Sequence, residues 1–191
     1  MKQRVAANAI VSAVRIVVPD SIGYIPRMSE ATLLRIEGEV ERPLSLSFAD
    51  LAAFDTRHQV ADVSRLDPKR AGDAVRLNGL LERAGVKPTA KYLSLHSSTD
   101  DFHASIPLDA VRERAIVIYR LGGQALPVKS GGPLRFFIPD FAACHTQEVD
   151  ECANVKFVDR IELTRERGYD NRPSEEEEHA ELHRRQAAGE G

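Results

Sequence analysis

The stretch Leu121–Pro139, LGGQALPVKSGGPLRFFIP, carries the decision about the fold. Gly122-Gly123 reads as a tight turn, and Pro127 to Gly132 as a loop. Leu134 to Ile138 then reads as an apolar strand, with Arg135 inside it. Side chains alternate along a strand, so Leu134 and Phe136 face one side and Arg135 the other. A guanidinium turned inward needs an anion or carbonyl partner, because an unpaired buried charge is costly. Two readings stay open: a bound anion such as a phosphate, or an internal salt bridge to an Asp or Glu.

Working outward, strands outnumber helices. Leu33 to Val40 reads as a strand, and Leu44 and Leu46 alternate with serines as in a half-buried one. Ser47 is placed to cap a short helix, with Asp50 in the capping-box position. Gln59 to Val63 reads as a strand and LDPKRAGD as a loop. Leu77 to Ala84 is a short helix ended by Gly85. Tyr92 to His96 and Phe102 to Ile106 pair across SSTDD, and Leu108 to Arg114 is a helical turn or two. Ala115 to Arg120 and Val155 to Leu163 complete the strands. Short helices on mixed sheets give an α+β fold.

The chain has 191 residues, enough for one domain with a small appendage. Its net charge is −3. The six Glu and three Arg of Asn171–Gly191 account for that excess, so residues 1–170 are neutral. Neither nucleic-acid binding nor an anionic membrane surface fits such a body. Two cysteines are too few for a disulfide scaffold. No apolar run approaches the roughly 18–20 residues of a membrane-spanning helix. Val5, Ala9, Ile10, Ala13, Val14 and Val17 recur at helical spacing, with Arg15 interrupting the run and Pro19 stopping it. This reads as a helix resting on the body rather than a removed signal. The expected divisions are a helix and linker over 1–28, a domain over 29–167, and a charged solvated tail over 168–191. The expected location is cytoplasmic, with no membrane insertion. A protein partner has the acidic tail to bind.

Five segments occur in order: LRIEGEVERPLSLSFADLAAF, GDAVRLNGLLERAGV, KYLSLHSSTDDFHASIPLDAV, LGGQALPVKSGGPLRFFIP and NVKFVDRIEL. Together they resemble the molybdopterin-binding domain of the sulfite oxidase family of oxidoreductases, over about Leu33 to Thr164. The resemblance implies a sulfite-oxidase-like fold and a pterin-dithiolene molybdenum cofactor held through its phosphate and pterin ring. It implies oxygen-atom transfer, with molybdenum carrying the electrons. It assigns cofactor contacts to Arg135, Gly132 and Lys156. Ser130 stands where family members commonly carry a histidine, and Asn154 and Val155 offer backbone N–H groups. The family's molybdenum-binding cysteine lies ahead of the GDAVRLNGLL segment. Here that stretch, HQVADVSRLDPKRAG, holds no cysteine, and Ala61, Asp62 or Ser64 takes its place. None is a soft thiolate donor, so turnover stays open.

Other residues carry competing readings. Lys69 and Arg70, beside Gly72, form a second basic spot, either a phosphate contact or solvated loop charge. Cys144, His145 and Cys152 lie in DFAACHTQEVDECANVKF. They read as unligated or disulfide-bonded cysteines, as a metal site for zinc with a carboxylate such as Glu148, or with Cys144 replacing the absent molybdenum ligand. His96 and His103 flank HSSTDDFH and read either as structural or, with the aspartates between them, as a His/Asp site. His179 and His183 share a face of a solvated helical tail, and the spacing of Glu181 fails the metalloprotease pattern. The alternative to a cofactor pocket is a cofactor-free or zinc-binding interaction module on the same fold. Its pocket would be filled by side chains near Ala61 and Ser130, and an open pocket with an unpaired Arg135 would count against it.

Overall fold

The computed structural model describes residues 31–173. The expected N-terminal helix, and the tail from 174 onward with His179 and His183, lie outside them. Two five-stranded sheets enclose the main core. The first runs β2 (Leu44–Leu46), β1 (Leu34–Gly38), β10 (Arg160–Thr164), β5 (Tyr92–Ser97), β6 (Phe102–Pro107). Only the β1–β10 pairing is parallel. Leu34, Ile36, Leu93, Leu95, Ile161 and Leu163 point inward, fully buried. Arg35, Glu37, Arg160 and Glu162 alternate with them on the outer face, as the period of two requires.

The second sheet is built on β7 (Ile116–Leu121). One edge of β7 pairs with β4 (Asp73–Arg76), which pairs in turn with β3 (Gln59–Val60). The other edge pairs first with β9 (Arg135–Phe137) and then, beyond Ile118, with β8 (Gln124–Ala125). This sheet is covered on both faces. Val117, Tyr119, Leu134 and Phe136 enter the main core. Ile116, Ile118 and Phe137 enter a smaller one with Val60, Val63, Ala74 and Leu126. Burial on both faces explains why consecutive apolar residues, Ile116 to Tyr119 in β7 and Phe136-Phe137 in β9, replace strict alternation.

The expected α+β class holds. Helix α1 (Phe48–Ala52) starts with a reciprocal capping box, in which Asp50 N–H donates to Ser47 Oγ and Ser47 N–H to the Asp50 carboxylate. Helix α2 (Leu77–Ala84) ends at Gly85 in the left-handed conformation. Helix α3 spans Leu108–Val111, shorter than expected. Two strands are not expected from the sequence: β4, whose Asp73 closes the LDPKRAGD loop and whose other three residues fall between that loop and the helix from Leu77, and the two-residue β8. The strand expected from Val155 begins only at Arg160. Before it, Phe157 has φ +52, and the backbone bonds go to separate partners at Phe136, Gly131, Leu134 and His96.

The end of the described chain also departs from expectation. Residues 168–173 lie against the domain rather than in a solvated tail. They run along the free edge of β6, where His103 N–H donates to Asn171 Oδ1, Asn171 N–H to His103 O, and Ser105 N–H to Asp170 Oδ2. Gly168 N–H donates to Ser105 Oγ. A charge-rich composition read as solvated because its charges neutralise one another: Arg172 and Asp170 bury their side chains together. The strap gives the exposed strand edge hydrogen-bond partners.

Gly79 provides a test of packing against propensity. Alanine is favoured over glycine inside a helix by about 1 kcal/mol. Here a Cβ would stand 2.5 Å from His58 Cγ and 2.7 Å from its Cβ, too near the backbone for the ring to swing clear. Gly79→Ala is therefore expected to destabilise the protein by about 1–3 kcal/mol, read as a lower midpoint in thermal or urea unfolding.

Candidate functional site

One cleft gathers most of the residues singled out in the sequence. It encloses about 420 Å³. The tip of the β5–β6 hairpin contributes Asp100 and Phe102, the turn before β9 contributes Lys129, and β9 itself contributes Arg135. The opposite wall is Glu151 to Lys156 apart from Ala153, and Arg70 closes one end. A second cavity of about 360 Å³ shares Arg70, Glu151 and Asn154 with it, so the two form one continuous depression. Four cationic side chains face two carboxylates in the main cleft, leaving an excess of positive charge.

Arg135 is the centre of this charge. It is only 8% exposed. Strand alternation puts it on the side of Phe137, at the rim of the smaller core, opposite Ile118 in the β7 register. Its Nη1 donates to Ser130 O at 3.5 Å, a long bond. Its Nε is buried without a hydrogen-bond partner among the described residues. Burial, and then the neighbouring charge of Arg70, pull the guanidinium down to about 10, while Glu151 offsets part of this. The internal salt bridge that was one reading of Arg135 is absent among the described residues. Arg70 lies over the Phe137 ring, 5.5 Å from its centroid, and its own Nε is likewise buried and unsatisfied. The Lys156 ammonium is also lowered, by burial first and then by Arg135. Arg135 and Lys156 are thus each lowered by the positive charges beside them, which concentrates cationic charge at this end of the cleft.

The glycine turn shapes the cleft rather than lining it. Gly131 has φ +86, and a Cβ there would press on Lys156 and stand 3.3 Å from Arg135 Nη1. A Cβ on Gly132 would fall 1.8 Å from Leu126 O, so only glycine permits this approach. Ser130 contributes its carbonyl to Arg135. Asn154 and Val155 line the cleft, but the backbone N–H of Asn154 is already bonded to Glu151 O, and its side-chain Oδ1 accepts from Ile138 N–H. Asn154 therefore does not offer the backbone donor expected of it. Lys129, Asp100 and Glu151 were not singled out as cleft residues. Lys129 had a signal in its place beside the Gly-Gly turn, whereas Asp100 and Glu151 reach the cleft only through long-range folding.

The cysteines divide. Cys144 lines neither cavity, and packs against the main core. Cys152 does line the cleft. They are not joined in a disulfide. Burial raises both thiols, Cys152 to about 11 with Asp150 adding to the effect. Among the described residues no group of three or more His, Cys, Asp or Glu side chains is assembled as a metal centre. Cys144, His145 and Cys152 thus do not converge: His145 is the exposed, left-handed end of one 3-10 turn, while Cys152 sits inside the next. His96 and His103 meet on the outer face of the first sheet, Nδ1 to Nδ1 at 2.8 Å, away from the cleft. In the segment that replaces the family's cysteine, Asp62 caps a 3-10 turn through Ser64, and neither residue nor Ala61 lines either cavity.

A cationic cleft lined from one mixed and one antiparallel sheet marks an α+β domain with a candidate anion site. Residues 73–171 match the family model described as the oxidoreductase molybdopterin binding domain, and the chain belongs to that family. It is 34% identical over 126 residues to the uncharacterized oxidoreductase YuiH of Bacillus subtilis (strain 168), covering 61% of this chain and 62% of that protein. Among solved structures it resembles the sulfane dehydrogenase SoxCD of Paracoccus pantotrophus, with a TM-score of 0.52 and 22% identity. That match covers 70% of this chain and 38% of the other, and it supports the fold. The chain thus spans less than two thirds of the length of either protein.

The unsatisfied guanidinium predicts an unusual trade. Arg135→Met would fill the same space while removing a desolvated charge that Glu151 offsets only in part. The ligand-free variant is expected to be more stable by about 1–2 kcal/mol, measured by denaturant unfolding in a buffer without phosphate or sulfate.

Proposed function

We propose that the cleft holds the phosphate-bearing end of a molybdopterin cofactor, and that the domain serves an oxidoreductase. The observation that carries this reading is Arg135: a guanidinium more than nine-tenths buried, with an unsatisfied Nε, inside an open cleft. A guanidinium so placed has no ion-pair partner among the described residues, and a cleft that side chains leave open argues against a cofactor-free module whose pocket they fill. Membership of the molybdopterin-binding family supplies the chemical class of the anion.

The residues present fit the organic, anionic part of the group. Arg135 and Arg70 would donate to phosphate oxygens through their unsatisfied Nε–H groups, and the Lys156 and Lys129 ammonium groups would balance the remaining charge. Phe102 and Val155 provide apolar wall for a flat ring. When bound, the cofactor supplies two-electron oxygen-atom transfer at molybdenum. The protein's part is to bind and orient it, and to exclude water from its charged end. The donor set differs from the family pattern at the metal. No thiol stands at Ala61–Ser64, and the one cysteine on the cleft wall is Cys152, held protonated by burial when no metal is present.

Purification from cells that make the cofactor tests this directly. Near-stoichiometric molybdenum and a fluorescent pterin after oxidative denaturation are expected. Arg135→Gln should lower both by at least tenfold without loss of folded protein. Absence of metal and pterin from wild-type protein would refute the reading.

A further inference from the structure

The wall of the cleft formed by Glu151, Cys152 and Asn154 belongs to no sheet. It lies in a segment of 3-10 turns and loops between β9 and β10, and most of its local bonds are short-range caps such as Ala153 N–H to Asp150 Oδ1. Such a segment has little intrinsic stiffness. Arg172 supplies a long-range anchor. Its Nη1 donates to Glu148 O at 3.0 Å and to Asp150 Oδ1 at 3.1 Å. Its Nη2 and Nε grip the Asp170 carboxylate, at 2.7 Å and 3.0 Å, and Nη2 reaches Ser105 O on the edge of β6 at 3.4 Å. The guanidinium side chain is 6% exposed and that of Asp170 is 9% exposed. Asp170 in turn accepts from Ser105 N–H and from Arg167.

One oxygen, Asp150 Oδ1, therefore takes both the staple from Arg172 and the cap from Ala153, either side of which lie the residues facing the cleft. We infer that Arg172 is a positioning residue for the cofactor cleft, riveting its mobile-prone wall to the edge of the first sheet from a strap at the end of the described chain. It stands one place beyond the family match, which ends at residue 171. The inference rests on the reading of the cleft as a ligand site only for its functional consequence; the mechanical link stands on the hydrogen bonds. Burial by itself would raise the Asp170 carboxyl, but the bonds from Arg172 and Arg167 hold it at about 2, so the rivet keeps its charge across the physiological range.

The test uses the full-length protein in a Cys144→Ser background, so that Cys152 is the one thiol and reports on the wall. Arg172→Gln should speed labelling of Cys152 by a disulfide reagent at least tenfold, at a temperature where circular dichroism shows the protein folded. Hydrogen exchange should rise over 146–154 and not in β1, β5 or β10. Arg172→Lys, which restores the charge but not the fork, should recover only part of the protection. Asp150→Ala cuts the same link from the other side and should give the same local pattern if Arg172→Gln folds poorly. Unchanged labelling in a folded Arg172→Gln protein, or exchange rising evenly across all strands, would overturn the inference. Protection of wild-type Cys152 by pyrophosphate tests the ligand reading separately: its failure with faster labelling of Arg172→Gln would leave the rivet standing and remove the anion site.

Discussion

The structure depends on what one short strand must do. Leu134 and Phe136 of the β9 segment have to fill the main core, and Phe137 the smaller core on the far face. Alternation leaves Arg135 no freedom: it must lie on the side of Phe137, and because it begins the strand it falls at the rim rather than in the middle. The preceding glycines allow the chain to pass against Leu126 and to stay clear of Lys156. Apolar burial thus fixes where the guanidinium stands, and the apolar gain offsets the cost of holding it dry. At roughly 1.5–3 kcal/mol for each fully buried large side chain, three such residues on or beside the strand outweigh one poorly satisfied cation. The binding group is positioned by the core, not by its own bonds.

The same economy appears at the other wall. A loop that lines a cleft has no strand ladder of its own to stiffen it, so its rigidity has to come from tertiary anchors. The free edge of β6 needs partners of its own. The Asp170–Arg172 pair satisfies both requirements at once, taking the edge's N–H and C=O groups on one side and the loop's carbonyl and carboxylate on the other. A buried ion pair is weak evidence for stability when it stands alone. Here nearly every polar atom of the pair has a named partner, which is the condition under which burial is tolerated.

How far the sequence could be read follows from range. Elements fixed by neighbours a few residues apart were legible: the Ser47 capping box, the Gly85 stop, and the alternating strands β5 and β6. Arg135 was legible because one charged residue in LRFFIP conflicts with its surroundings. What failed depended on contacts between distant segments. β4 is a strand because β7 and β3 pair with it, and nothing in DAVR states this locally. The Val155–Asp159 run looks like a strand and is instead divided among five backbone partners, at Phe136, Gly131, Leu134, His96 and Arg35. The strap at 168–173 has the composition of a solvated tail, and its burial follows only from the complementarity of Arg172 with Asp170 and Asp150. Nothing local in the sequence separates the two cysteines by burial: Cys152 is buried in the main core at the cleft wall, while Cys144 is half-buried against that core and lines neither cavity.

The even charge of residues 1–170 now takes on physical meaning. A neutral body exerts little long-range attraction on an anion, and at physiological ionic strength exposed charges act over only about 8 Å. Recognition must therefore be local, and local recognition is strong only where charges are already stripped of water. Arg135 meets that condition by burial and Lys156 in part, and the charges of Arg70 and of each other act on them before any ligand arrives. An anion entering the cleft relieves repulsion the fold has already imposed, without first having to dehydrate the groups that receive it. Such preorganisation shifts the cost of binding onto folding, where the two hydrophobic cores around β9 can meet it.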